Sequence, residues 1–430
     1  MAKTFRAYVP EQELLLPPSL RDWLPDDHLA FFVSDLVDAL DLSAITEVYD
    51  REDRGQPPYH PAMMTKLLVY GYCIGVFSSR KIARRLVEDV AFRVLAAGNT
   101  PDFRTLSDFR KIHLAALEGL FIQVLQLARE AGALQVGRVA VDGSQVKANA
   151  SKHKAMSDGR MQDREATLVT EVRHLLTQAD ATDAQEDATH GARSAGPDVP
   201  AELRRRETRL ARIREAKHVL EARAKAQAEA DQSPSDEATP ADKTQYNFTD
   251  PESRIMKGPD GFVQAYNAQI VVESEHQFIV GQAVTQEVND KRQLTPMVET
   301  VVTQFGERPT QVLADSGYCS ETNLATLAAT DLDLYIATGR LKHGEPPPCP
   351  RGPLPKDATW TDRMRRKLQT KPGKNVYRWR KAIVEPVFGQ IKHARGFRQF
   401  LLRGFRKVQG EWTLVCLGHN VVKFHGLCVP

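Results

Sequence analysis

The sequence predicts an α/β protein: a mixed sheet with helices on both faces, an all-helical N-terminal domain and an inserted helical hairpin. Three observations lead there. Helix-period patterns fill the first third of the chain, strand-length apolar runs ending at turn residues fill much of the second half, and a highly charged segment separates the first strand from the rest. At 430 residues the chain exceeds a typical single domain. The expected parts are residues 1–135, helical, and 136–430, sheet-bearing. A charged helical insertion at 151–245 interrupts the second part, and 363–430 forms its basic helical end.

Each element has its own signal. HPAMMTKLLVYGYCIGVF opens on a Pro and continues apolar, as a buried helix does. Ser78 and Ser79 offer an N-cap to RKIARRLVEDVAFRVLA, which reads as one helix. After Gly98, Asn99 and Pro101, Thr105 is expected to cap a long helix, LSDFRKIHLAALEGLFIQVLQLAREAG, that ends at Gly132. Short helices joined by tight polar turns suggest helix-turn-helix organisation. VGRVAVDG reads as the first strand. Within the insertion, LVTEVRHLLTQ and ELRRRETRLARIREAKHVLEARAKAQAEA have helical periodicity, with Leu203, Leu210, Ile213 and Leu220 at heptad-like positions. ADATDAQEDATHGARSAGPDVP and DQSPSDEATPAD have linker composition, so a mobile hairpin is expected. GFVQAYNAQIVVE and HQFIVGQAVTQ then predict a β-hairpin turning at Glu273 to His276. DKRQLTPMVETVVTQFG (a helix ending at Gly306), TQVLAD, SETNLATLAAT and LDLYIAT give an αβαβ run. A Pro-rich loop, GEPPPCPRGPLP, leads to the basic tail, and GEWTLVCLGHNVVKF reads as a closing core helix with His419 packed in it.

Composition sets limits. An apolar share of 42% suits a globular protein, and 58 Lys and Arg against 55 Asp and Glu say little about partners. Their distribution says more, because Arg363 to Arg406 is rich in Arg and Lys and should carry a positive field. The five cysteines show no CxxC spacing, which argues against a zinc site or a disulfide framework. His60, His113 and His153 have no metal-like spacing. MAKTFRAYVPEQ lacks a secretory pattern, and no apolar run approaches the roughly 20 residues a membrane helix needs. The expected place is the cytoplasm of a bacterium-like cell.

Three carboxylates carry the chemistry. Asp142 (RVAVDGSQVKANAS) and Asp315 (TQVLADSGYCSETN) each close an apolar run and precede a Gly-containing turn, which places them at the ends of buried parallel strands. That edge is where α/β sheets hold ligands. Glu385 (RKAIVEPVFGQIK) adjoins Pro386 and is expected near the start of a helix. A lone Asp after a strand is more often a cap or turn residue. Three together make a hard-oxygen donor set suited to Mg²⁺ or Mn²⁺, and two such ions can stabilise the attacking and leaving oxygens of a phosphodiester. Arg80, Lys81, Arg84 and Arg85 group on one helical face, either against DNA or simply solvated. Arg395, Arg398, Arg403 and Arg406 interleave with Phe397, Phe400 and Phe405, a pattern that suits a phosphate backbone or aromatics packed under a sheet.

With these residues in view, the chain resembles the DDE transposases of bacterial insertion sequences, most of all the group called insertion sequence eleven-eighty-two. The resemblance runs through HPAMMTKLLVYGYCIG, TLSDFRKIH, VDGSQVKANAS, DPESRIM, YNAQIVV, LADSGY and VEPVFGQIKHARGFRQFLLRG. It implies an RNase H-like core with Asp142, Asp315 and Glu385 as the acids, holding two Mg²⁺ or Mn²⁺ ions with Asp142 bridging both. It also implies cleavage of the element's ends and their joining to target DNA, by a homodimer or higher oligomer on double-stranded DNA bearing terminal inverted repeats. Relatives carry a Tyr, an Arg and a Lys around the third acid. Here Lys392 matches the Lys, while Lys381 stands where the Arg would be and Arg378 where the Tyr would be. A stand-alone Mg²⁺ nuclease and a domesticated DNA-binding or scaffold protein are the competing readings.

Overall fold

A computed structural model describes residues 19–49, 57–151, 154–188, 199–230, 238–258, 261–330, 332–339, 352–355 and 357–428. The N-terminal stretch MAKTFRAYVPEQ, most of the Pro-rich loop and the centres of both expected linkers lie outside them.

After a 3₁₀ helix at Leu20–Trp23, seven α-helices open the described chain: α1 (Leu29–Ala39), α2 (Ser43–Thr46), α3 (Pro61–Cys73), α4 (Ser79–Glu88), α5 (Val90–Leu95), α6 (Phe103–Ile112) and α7 (Leu114–Glu130). Pro61 starts α3 where its missing N–H costs nothing. Two expectations need correction. The helix expected to follow Ser78 without interruption breaks at Asp89, whose Oδ1 accepts from Ala91 N and Phe92 N at 3.0 and 3.4 Å and so caps α5 instead of continuing α4. The helix expected to start at Thr105 is two helices meeting at 73° at His113, and its cap is Asp102, whose Oδ1 accepts from Arg104 N at 2.8 Å. Among the described residues no single helix is long and apolar enough to cross a membrane.

The strands are β1 (Arg138–Lys147), β2 (Ala155–Ser157), β3 (Gln245–Asn247), β4 (Arg254–Gly258), β5 (Gly261–Glu273), β6 (Ile279–Thr285), β7 (Gln311–Ala314) and β8 (Asp333–Ile336). The main sheet runs β6-β5-β1-β7-β8, with β4 beside the other end of β5. β5 is antiparallel to β1, β4 and β6; β1, β7 and β8 are parallel. The β5-β6 hairpin turns at Glu273 to His276 as the sequence predicts, the Glu273 carboxylate accepting from Glu275 N and His276 N at 2.6 and 2.7 Å.

The insertion is a hairpin of α8 (Asp158–Ala188) and α9 (Val199–Ala230) mounted on the β2-β3 ribbon. Its own cluster packs Met161 and Leu168 against Leu210, Ile213, Ala216 and Leu220. Glu165 ties the helices together by accepting from Arg214 Nε at 2.9 Å and Lys217 Nζ at 2.7 Å. ADATDAQEDA, expected to be linker, is the last part of α8. Charge did not stop it: Ala, Gln, Glu and Asp sustain a helix where no Gly or Pro intervenes.

α10 (Leu294–Phe305) and α11 (Glu321–Ala328) connect β6 to β7 and β7 to β8. Then come α12 (Trp360–Gln369), α13 (Lys371–Tyr377), α14 (Trp379–Gly389) and α15 (Phe405–Cys428). α15 is the closing core helix expected, with Trp412 fully buried. It packs against α3, α7 and β6, so the N-terminal helices and the sheet share one hydrophobic cluster. The approach to α3 is close enough that a Cβ on Gly418 would lie 2.8 Å from the Tyr72 carbonyl carbon. Phe397 and Phe400 are buried against Trp412, which settles their part of the tail pattern as packing.

Candidate active site

Asp142 and Asp315 leave the sheet side by side. The last parallel pair of β1 and β7 is Val141 with Ala314, and each acid is the next residue. Asp315 ends its strand as expected. Asp142 does not: β1 continues to Lys147 because β5 pairs with it along its whole length, Asp142 facing Ile270. The antiparallel neighbour, which no local pattern encodes, extends the strand through the Gly.

Glu385 reaches the same place from α14, and the structure corrects its setting. Pro386 lies inside the helix, not in its first turn. A proline there cannot donate to the carbonyl four residues back. That group, Ala382 O, accepts instead from Gln277 Nε2 at 3.0 Å. α14 then runs into a π-helical turn, Gln390–Ala394, which carries Lys392.

At the centre stands Arg380. Its Nη2 is 2.8 Å from Asp142 Oδ2 and 3.9 Å from Asp315 Oδ2, and its Nη1 is 3.7 Å from Glu385 Oε1. Asp142 is largely buried at 16% side-chain exposure, while Glu385 is open at 54%. Burial pushes the Asp142 carboxyl up to about 6; Arg380 pulls it back down, and the like charges of Asp315 and Asp290 add to the rise. Gly143 N and Gly317 N donate to Asp142 Oδ1 and Asp315 Oδ1 at 2.9 and 2.8 Å, fixing both carboxylates.

Asp290 is a fourth carboxylate that sequence reading missed. It follows β6 in VNDKRQL, and its Oδ1 accepts from Asn267 Nδ2 at 2.7 Å and Gln269 Nε2 at 2.6 Å. Gln269 is itself bonded by Tyr318 Oη and faces Gly143 across β1-β5. A Cβ on Gly143 would lie 2.2 Å from Gln269 Nε2 and 2.7 Å from Asp290 Oδ1. The glycine after the first acid therefore makes room for this network within a strand, and does not mark a turn. Arg380 was missed because it stands one position from the Lys381 that spacing suggested. Tyr377, likewise one position from Arg378, is half-buried beside it, its hydroxyl raised by burial and biased by Arg380, Asp315 and Asp142.

The remaining candidates scatter. Arg378, at the N-cap of α14, and Lys381, in its first turn, are exposed. Lys392 Nζ donates to Ser144 Oγ and, at 2.9 Å, to Gln145 O, so it braces β1 just beyond Asp142. Burial lowers its pKa, with Asp142 opposing. Arg395 is turned inward, its Nη2 2.8 Å from His419 Nδ1, and His419 is fully buried as expected. Arg398 donates to Lys392 O at 3.2 Å and Arg403 to Asn149 O at 2.8 Å, both from exposed positions. On α4, Arg84 and Arg85 pair with Glu88 and Asp89 at 2.8 and 3.2 Å, whereas Arg80 and Lys81 are exposed without such pairs.

Carboxylate oxygens alone, one of them desolvated and crowded by like charge, are the donor type a hard divalent cation takes. As held around Arg380, the acids do not form a finished shell: among the described residues no group of three or more His, Cys, Asp or Glu is placed to hold a metal ion. The donor chemistry fits; the guanidinium occupies the middle of it.

A model described as a transposase domain (DUF772) matches residues 18–112, and one described as a transposase DDE domain matches residues 355–425. The second spans Arg380, Glu385 and Lys392. Comparisons with curated proteins and with solved structures returned no match. A transposase model thus matches toward either end of the chain, the second of them a DDE domain, and the two together support a DDE transposase of insertion-sequence type.

Proposed function

We propose that this transposase cuts the ends of its element and joins them to target DNA by Mg²⁺-dependent phosphodiester chemistry on an RNase H-like sheet. The observation that carries the reading is the gathering of Asp142, Asp315 and Glu385, from β1, β7 and α14, around one guanidinium where the parallel strands end. The strand order β6-β5-β1-β7-β8, with only β5 reversed between parallel neighbours of β1 and the hairpin strand, supports the fold assignment.

Asp142, Asp315 and Glu385 are the residues that would hold two Mg²⁺ or Mn²⁺ ions. Bound there, such ions activate a water or 3′-hydroxyl and stabilise the departing oxygen. The chain's own residues prepare that arrangement. Gly143 N and Gly317 N aim the two aspartates, and Arg380 offsets the repulsion of three acids until cations replace it. Asp290, locked by two amides, adds negative charge behind Asp142. Lys392 keeps β1 in place next to the first acid.

Asp142→Ala, Asp315→Ala and Glu385→Ala should each abolish Mg²⁺-dependent cleavage of a duplex carrying the element's ends while leaving gel-shift binding largely intact, since phosphate contacts lie elsewhere. Near-wild-type cleavage by any of the three removes that residue from the site. Cleavage without joining to a second duplex would favour a nuclease over a transposase.

A further inference from the structure

A groove of about 460 Å³ lies between the first turn of α4 and the outer side of α6, far in sequence from all three acids. Its floor is unusual. Ser79 is only 7% exposed and its Oγ has no hydrogen-bond partner. Arg110 is 4% exposed; its Nη1 donates to Tyr72 Oη and Phe77 O, each at 3.1 Å, while its Nε has no partner. Burying such groups unpaired is costly, and a ligand that accepts from both would relieve that cost. Ser78 occupies the N-cap of α4 but its side chain makes no cap bond, and Ser78, Ser79 and Arg80 line the groove, so the first turn of this ten-residue helix borders it.

The rim supplies charge. The guanidinium carbons of Arg80 and Arg104 lie 5.0 and 5.6 Å from the Phe103 ring centroid, one ring holding both arginines at the groove mouth. Lys111 also lines the groove but is paired with Asp108 at 2.9 Å and adds little. Helix N–H groups, a buried hydroxyl, a buried guanidinium and two positioned arginines form the donor set that recognises a phosphate oxyanion.

We propose that this groove holds one backbone phosphate of a DNA strand, an inference that rests on the transposase reading above. It relocates the contact expected of the α4 face: Arg80 serves it, with Ser79, Arg104 and Arg110, while Arg84 and Arg85 stay with Glu88 and Asp89. Because donors meet only phosphate, the contact is blind to sequence. Leu401 closes one wall, so a strand held here touches residues from both ends of the chain.

The test uses the full chain and anisotropy titrations of an element-end duplex and a random duplex over a salt series. Arg80→Ala and Arg104→Ala should each reduce the log-log salt slope on both duplexes, and the two together by about 0.9, the share of the one phosphate they contact. Ser79→Asp introduces an acid at a helix start, where it is tolerated, but sets it against the phosphate and should weaken binding roughly tenfold or more. Arg104 is exposed, so its variant reports even if Ser79→Asp fails to fold. Wild-type slopes for both arginine variants, with wild-type protein binding DNA normally, would overturn the groove. No DNA binding by the wild-type protein would overturn the transposase reading and this contact with it. Thermal stabilisation by inorganic phosphate over chloride at equal ionic strength, lost in Ser79→Asp without change in DNA slopes, would assign the groove to free phosphate and overturn the strand contact.

Discussion

Arg380 Nη2 stands 2.8 Å from Asp142 Oδ2, joining α14 to β1 across 238 positions of sequence. Both side chains are mostly buried, at 10% and 16% exposure. A cation supplied by the chain thus lies among the acids that would hold cations from solution. Its charge offsets the repulsion between Asp142 and Asp315 at the adjacent strand ends.

Removing that charge should be felt at once. Arg380→Gln leaves a buried carboxylate uncompensated and should cost about 3–5 kcal/mol in the metal-free protein. Added Mg²⁺ should recover part of the loss, raising the melting temperature of the variant more than that of the wild type. Thermal melts with and without Mg²⁺ check this. Equal stability and an equal Mg²⁺ response in the two proteins would show that Arg380 does not substitute for a cation.

Acidity gives a second test, with opposite signs for stability and activity. Burial raises Asp142 from 3.8 to about 6 and Glu411 from 4.5 to about 7. A folded-state pKa above the unfolded value gives stability that is complete below the unfolded pKa and lost as pH rises through the folded one. Metal-free protein should therefore gain stability as pH falls from 8 toward 5, by roughly 3 kcal/mol per group at most. Glu411→Gln should remove the upper part of that window. Cleavage should move the other way, falling as pH drops below about 6, because a protonated Asp142 cannot take a cation. A cleavage rate flat between pH 5 and 7 would contradict the raised Asp142.

Much of this was legible in the sequence, and the misses share one cause. Strand by strand, the β5-β6 hairpin and the αβαβ run follow from apolar runs and their Gly and Asn punctuation, which are local signals. Asp142 was read as ending its strand because Gly143 is a local turn signal, but β5 pairs through it. Glu385 was placed at a helix start because Pro386 is a local breaker, but Gln277, more than a hundred residues away, satisfies the carbonyl that the proline frees. Arg380 and Asp290 had no local signature. Their roles exist only once α14 and the loop after β6 are folded onto the strand ends.

Gly143 tests the network behind the acids. A methyl there meets Gln269 Nε2 and Asp290 Oδ1 well inside contact distance, in a stretch of β1 that is paired with β5. Gly143→Ala should destabilise by about 1–3 kcal/mol through overpacking. Gly137→Ala, with open space around the added methyl, should be neutral or gain roughly 0.4–1 kcal/mol. Paired denaturant titrations decide it. Indistinguishable midpoints would mean that the amides move aside freely and do not position the acid.

The hairpin of α8 and α9 should be dispensable for folding of the sheet. Its buried residues form a cluster separate from the main core, and it springs from a ribbon whose strands are already in register, Ser157 opposite Gln245. That pair is the closing pair a two-residue type I′ turn needs. Replacing residues 158–244 by Asn-Gly should therefore give a protein that melts cooperatively, although Met156, Tyr246 and Phe248 lose apolar cover and Arg223 no longer donates to Pro251 O at 2.7 Å. The denaturant dependence should drop with the smaller surface exposed on unfolding. Mg²⁺-dependent cleavage by the shortened protein, set beside its binding to an element-end duplex, then separates two roles. Retained cleavage with weakened binding would place the hairpin on DNA, and a shortened chain that fails to fold cooperatively would show that the hairpin cluster and the sheet form one unit.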